Sequence, residues 1–190
     1  MRTNLTISSV SVLLVLLFAG VLVGDSPVDW VDPLIDTHES RWFYFNSATR
    51  PFGMVNLSPD TQTKGSWKSG YLYGDNHIRC FSHIHAWQLS GIPVMPIVGE
   101  MTGHRGMDAY QSEFSHEDEI VEPGYHKVYL QKYGITAELT STTRVGFHRY
   151  TYPKTKDAYI LLDVGALLAH GPTVKAEVRK VSATEVEGMS

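Results

Sequence analysis

The sequence predicts an all-β fold, an antiparallel β-sandwich, on three observations. Ile135, Ala137 and Leu139 alternate with Thr136, Glu138 and Thr140, so an extended chain there turns apolar side chains to one face and polar ones to the other. Turn signals recur about every eight to twelve residues through the second half, the spacing of short antiparallel strands rather than of alternating β and α units. After residue 25 no amphipathic pattern outlasts about three helical turns, so helix is a minor component.

The elements follow in chain order. Arg2 is the single charge of the opening stretch, an apolar run extends from Val10 to Val23, and Gly24 precedes the polar, turn-forming Asp25, Ser26 and Pro27. That order reads as a secretory signal peptide over residues 1–24, with export to a periplasm or beyond. The run is shorter than the roughly 18 apolar residues that an uncleaved membrane anchor needs. The fold proper is expected over residues 25–190.

Residues 29–110 are rich in aromatics, Gly and Pro with few alternating runs, and read as long loops crossing a sheet, where function usually sits. Strands are expected at Tyr125–Tyr133, over the alternating segment around Leu139, at Val145–Tyr152 and at Val174–Val181. Pro123-Gly124, Tyr133-Gly134 and Pro153-Lys154 mark the turns between them. Ala158–Val164 is nearly all apolar and is expected to lie between two covered faces. A further strand begins at Thr184–Val186, and the chain reads as a truncated product at Ser190.

Composition narrows the function classes. The 190 residues are 43% hydrophobic and 19% charged with a formal net charge of -4, and no Lys/Arg run is long enough to track a phosphate backbone, so nucleic acid is an unlikely partner class. The single cysteine, Cys80, excludes an intrachain disulfide and a Cys-based zinc framework.

Among chemistry-bearing residues, His83 and His85 stand two apart and would share a face if extended, with His77 six residues earlier. Two imidazoles on one face can bind a metal, but no third ligand stands at diagnostic spacing, and a polar hydrogen-bond network is the plainer reading. Asp36, Asp60, Asp75, Glu100 and Asp108 are candidate carboxylates. Glu113, Glu117, Asp118, Glu119 and Glu122 read as a solvated loop, and no pair stands out as the two carboxyl groups that glycoside hydrolysis requires. Trp67, Tyr71, Tyr73, Asp75, His83, His85, Trp87 and Gln88 fall close together, the mixture of flat apolar faces and hydroxyl-bonding groups that sugars need, and also ordinary core material. Asn56-Leu-Ser58 fits a glycosylation acceptor pattern, but its apolar neighbours argue that it stays unmodified.

Several words in order carry a resemblance: Val31-Asp-Pro-Leu-Ile-Asp36, Arg50-Pro-Phe-Gly-Met-Val-Asn-Leu-Ser-Pro-Asp-Thr61, Ser69-Gly-Tyr-Leu-Tyr73 and Phe81-Ser-His-Ile-His85. They continue with Pro93-Val-Met-Pro96, Pro123-Gly-Tyr125, Tyr133 to Pro153 and Ile160-Leu-Leu-Asp163. Over residues 29–165 the chain resembles the N-terminal part of a glycoside hydrolase family 92 α-mannosidase. The resemblance implies a β-sandwich packed on a C-terminal (α/α)6 catalytic barrel, in a calcium-dependent, inverting exo-α-mannosidase of mannose-containing glycans. It places the general acid, the base and most calcium ligands in the barrel, outside residues 1–190, so this chain is expected to hold no catalytic residue of its own.

Carried onto this chain, the resemblance implies that the backbone at Phe52-Gly53 lines the substrate pocket, that Trp67 stacks near the sugar, and that Asp75, His83 and His85 take part in binding. Plainer roles stand beside these: a turn with positive φ at Gly53, and an Asx-turn with Asn76 at Asp75. The chain departs from the family where Asp36-Thr-His-Glu-Ser40 stands in place of a Gly-rich loop. Two other functions remain open, a free-standing carbohydrate-binding module and a sandwich that only braces a neighbouring domain.

Overall fold

The computed structural model describes residues 25–38, 48–65, 69–85, 89–100, 106–166, 168 and 173–189. Residues 1–24, which the sequence reading takes for a signal peptide, and Trp67, Trp87 and Gln88 lie outside the described residues. The chain forms two compact units, Met1–Val31 and Asp32–Ser190. Among the described residues of the first, a 3-10 turn spans Pro27–Trp30, with Pro27 at its start, where a missing N–H costs nothing. The Ser26 N–H donates to Asp29 Oδ2 at 2.7 Å.

The second unit is built of short antiparallel strands: β1 (Ser58–Asp60), β2 (His77–Ile78), β3 (Cys80–Ser82), β4 (Ile84–His85), β5 (Leu89–Ser90), β6 (Val94–Val98), β7 (Ser112–Glu113), β8 (Ile120–Glu122), β9 (Tyr125–Leu130), β10 (Ile135–Ser141), β11 (Gly146–Thr151), β12 (Ala158–Leu162), β13 (Glu177–Lys180) and β14 (Val186–Met189). One short helix, α1 (Met107–Tyr110), precedes β7. Among the described residues no helix is long and apolar enough to cross a membrane.

Two four-stranded sheets make the sandwich, in the orders β1-β3-β6-β12 and β11-β10-β9-β8. The second sheet is the one the alternation predicts. Val128 and Leu130 on β9 and Ile135, Ala137 and Leu139 on β10 point inward and join one core with Phe81, Met95 and Ile97 from the first sheet. Opposite them, Glu138 pairs with Arg149 across the β10–β11 register. Gly124 and Gly134 take φ of 82° and 64° at the two turns flanking β9, a backbone state in which only glycine is unstrained.

Two expectations are corrected. The first half does not merely cross a sheet: β1, β3 and β6 supply three strands of one. They are three to five residues long and largely buried on both faces, so no alternation announces them. Conversely, β12 does not lie between covered faces. It is the edge strand beyond β6, and Ile160 is 57% exposed.

An apolar, uncharged edge is a template for pairing with another chain. Ile160→Lys is therefore expected to lower self-association while moving stability by less than about 0.5 kcal/mol, as for an exposed position. Size-exclusion elution across a concentration series checks this, and unchanged self-association would place the sticky surface elsewhere.

Candidate functional site

At one end of the sandwich the segment Arg50–Asn56 runs beside the β10–β11 turn. Arg50, Pro51, Phe52 and Gly53 form a β-turn closed by the Gly53 N–H donating to the Arg50 carbonyl at 2.9 Å. Pro51 suits the second position, and the third takes φ of 59°, where glycine or asparagine is the unstrained choice. The residue there is Phe52, fully exposed at 103%. The positive φ thus belongs to Phe52, and Gly53 meets a different demand: a Cβ on it would stand 3.0 Å from the Arg50 carbonyl oxygen. Asp36 also takes a positive φ, 66°, the state that a Gly-rich loop would adopt freely.

Next along the chain, the Met54 N–H donates to the Thr143 carbonyl at 2.7 Å and the Asn56 N–H to the His83 carbonyl at 3.0 Å. Asn56 is further tied by its Nδ2, which donates to the His85 carbonyl at 2.9 Å, and by its own carbonyl, which accepts from His85 Nδ1 at 2.6 Å. Leu57 and Ser58, the rest of the acceptor pattern, are fully buried.

His83 and His85 do not share a face. His83 lies at a bend between β3 and β4, and its Nε2 meets His148 Nε2 of β11 at 2.8 Å. Burial first, then the charge of His85, holds the His83 imidazole below the usual histidine range against the opposing pull of Asp60. His148, depressed by burial and then by His83, falls to about 3. His85 turns the other way and is buried, its Nε2 2.7 Å from Asp60 Oδ1. Both its ring nitrogens face oxygen acceptors, and only an imidazolium donates to both. Burial opposes that charge, but the Asp60 carboxylate and the Asn56 carbonyl outweigh it and raise the pKa. Cys80 Sγ lies 3.5 Å from the other oxygen of Asp60, and burial pushes its thiol well up, so it is no nucleophile.

Asp75 stands apart from this end. Its Oδ2 accepts from Gln62 Nε2 at 2.6 Å, and it lines a polar cleft of about 250 Å³ with Asn76, His77, Arg79 and Gln111. The structure therefore brings His83, His85 and the Phe52–Gly53 segment to one region, leaves Asp75 in another, and does not describe Trp67.

One predicted loop residue is corrected. Glu119 is not a solvated carboxylate. Its side chain is 4% exposed, and it accepts from the Tyr71 hydroxyl at 2.8 Å, with His116 Nδ1 at 2.6 Å and His126 Nε2 at 2.7 Å. Despite the cost of burial, the bonds from His126, His116 and Tyr71 hold its pKa below the usual range.

Sequence reasoning missed His148 and the partnership of Asp60 with His85. A signal existed for His148: with Gly146 and Tyr150 it occupies the inward register of β11, and a polar residue on an inward register must find a buried partner.

The geometry defines an antiparallel β-sandwich domain with a strained aromatic turn at one end, an architecture that serves many functions. The particular assignment rests on comparison: the model of the Glycosyl hydrolase family 92 N-terminal domain matches residues 30–190, and the chain belongs to that family. Among solved structures it is similar to the family GH92 α-mannosidase BT3965 from Bacteroides thetaiotaomicron, at 30% identity over 85% of this chain, with a TM-score of 0.77. A second structure of that protein holds mannoimidazole and matches with a TM-score of 0.76. The inverting GH92 mannosidase BT2199 from Bacteroides thetaiotaomicron VPI-5482 is 28% identical over 74% of the chain, with a TM-score of 0.62. The chain spans 23% of the length of the first and 20% of the second. No protein of curated function is significantly similar in sequence.

Proposed function

We propose that this domain is the pocket-shaping N-terminal portion of a secreted, calcium-dependent, inverting exo-α-mannosidase acting on mannose-containing glycans. Its partner within that enzyme is an (α/α)6 catalytic domain that supplies the general acid and base. The observation that carries the reading, beside the family, is Phe52: a residue held in a costly backbone state and fully exposed is retained for what it touches, and a planar apolar face suits the C–H side of a sugar ring. Two of the similar solved proteins are named mannosidases, one of them inverting and the other in complex with mannoimidazole.

In this reading most calcium ligands come from the catalytic domain, as the family resemblance implies; among the described residues no group of three or more His, Cys, Asp or Glu side chains is gathered to hold a metal ion. When bound, calcium would supply a charge to which the sugar hydroxyls coordinate.

The test is expression of the whole reading frame that carries this domain, followed by assay on α-mannosides. Mannose released with inverted configuration, and activity lost to a chelator and restored by calcium, support the reading. Retained configuration, or no hydrolysis of any α-mannoside, overturns it.

A narrower expectation concerns the turn. A left-handed backbone costs a non-glycine residue about 1–2 kcal/mol, partly offset by the greater unfolded-state freedom of glycine. Phe52→Gly is thus expected to raise domain stability by up to about 1 kcal/mol while raising KM for α-mannosides about tenfold or more. Denaturant midpoints and steady-state kinetics check the two halves separately. A variant that is more stable and equally active would remove Phe52 from the pocket.

A further inference from the structure

We propose that His83 and His148 form a proton-dependent brace that positions the Phe52 turn, acting on substrate only through that turn. The proposal rests on the reading above for its functional meaning, but its structural content stands on four contacts. The Nε2 atoms of the two rings are 2.8 Å apart, the distance of an N–H···N bond with one proton between two nitrogens. The His83 carbonyl accepts the Asn56 N–H, so the ring on β11 and the backbone of the turn segment are fixed to the same residue. The Met54 N–H donates to Thr143 at the β10–β11 turn, which fixes the other side of the segment. Gly146, the first residue of β11, packs so tightly that a Cβ on it would lie 2.8 Å from His83 Cδ2 and 3.3 Å from a Val55 methyl group. Phe52 thus stands at the free end of a segment held between β3–β4 and β10–β11, and the histidine pair ties those two supports together.

The proton dependence follows from the pairing. The contact holds while one Nε2 carries a proton and the other does not, and is repulsive when both do. The groups facing the pair among the described residues are few. Asp60 and His85 act on His83, with Asp60 favouring its charged form and His85 opposing it. The Tyr150 hydroxyl meets His148 Nδ1 at 2.7 Å, and Phe81 stands edge-on to the His148 ring. Glu138 and Arg149 pair with each other on the outer, exposed register of the same sheet. The first added proton leaves the bond in place, so the brace is expected to open only as pH falls through the depressed value of His148, about 3, and the turn segment to loosen before the sandwich does.

Amide hydrogen exchange at Met54 and Asn56 in the full chain tests this, with Val128 and Leu139 as core references. In the native chain, protection at Met54 and Asn56 relative to the references is expected to hold from about pH 7 to about pH 4 and to fall about tenfold or more on going to about pH 2, as His148 gains its proton. His148→Gln, which bonds His83 without titrating, is expected to keep that protection across the range. His148→Leu is expected to lack it throughout. If His148→Leu fails to fold, Gly146→Ala serves in its place, because the added methyl displaces the His83 ring. A pH profile shared by the native chain and His148→Gln overturns the brace, as does full protection in His148→Leu or in Gly146→Ala. The readout involves no sugar, so a negative result sinks the brace whatever the domain binds, and a failure of α-mannoside hydrolysis sinks the functional reading alone.

Discussion

Asp60→Ala is expected to cost about 3–5 kcal/mol of stability, the largest effect of any substitution considered. The reason is the charge left behind. His85 is buried with both nitrogens on acceptors, and Asp60, itself fully buried, is the anion that makes its charge tolerable. Removing the carboxylate strands an imidazolium, or forces it to give up a proton and one of its two bonds. Because small domains hold about 5–15 kcal/mol in total, the variant should lie near the edge of folding. The double variant Asp60→Leu, His85→Leu is expected to recover part of the loss, since neither charge is then buried. Urea unfolding of the native chain, Asp60→Leu, His85→Leu and the double variant completes the cycle, and a coupling below about 1 kcal/mol would mean that the pair is not formed.

The pH dependence has a definite sign. The folded pKa of His85 is raised above its value of 6.5, so the contribution of the pair is complete below that value. It declines as pH rises through the raised folded value. The difference in stability between the native chain and His85→Leu should therefore be largest below 6.5 and shrink as pH rises through the raised folded value.

Glu119→Gln is the second large effect, at about 2–4 kcal/mol. The amide keeps one oxygen acceptor where the carboxylate serves Tyr71, His116 and His126, and it turns an NH2 group toward ring nitrogens that need an acceptor. Here the sign is reversed. A depressed carboxylate contributes fully above its unfolded value of 4.5 and loses that contribution as pH falls through the folded one. Stability of the native chain should thus fall toward acid by more than that of Glu119→Gln, and identical acid limbs would show that Glu119 is solvated.

These two clusters also mark where the sequence could and could not be read. β10 was legible because one of its faces is wet: Thr136 and Glu138 between Ile135, Ala137 and Leu139 leave a period of two. β3 was not, because Cys80, Phe81 and Ser82 are all buried and no period survives. The apolar run at β12 reads the same whether it is covered on two faces or stands at an edge, since local pattern carries no information about strand order. Glu119 looked solvated because Glu117 and Asp118 beside it are exposed. What turns it inward is Tyr71, 48 positions earlier, together with His126 on β9. The site divided in the same way. The Phe52–Gly53 segment is named by resemblance alone, whereas the partners of His83 and His85 lie 65 and 25 residues away, beyond the reach of any spacing rule.

The knot at Asn56 has a consequence for how the chain is made. Its side-chain nitrogen, the atom to which an oligosaccharide would be joined, donates to the His85 carbonyl, and its backbone is tied to His83 and His85. In a compartment that glycosylates Asn-Leu-Ser, a sugar on this nitrogen would leave it one N–H and would stand beside the His85 carbonyl, so transfer before folding is expected to hinder closure of the segment, and closure is expected to shield the nitrogen from transfer.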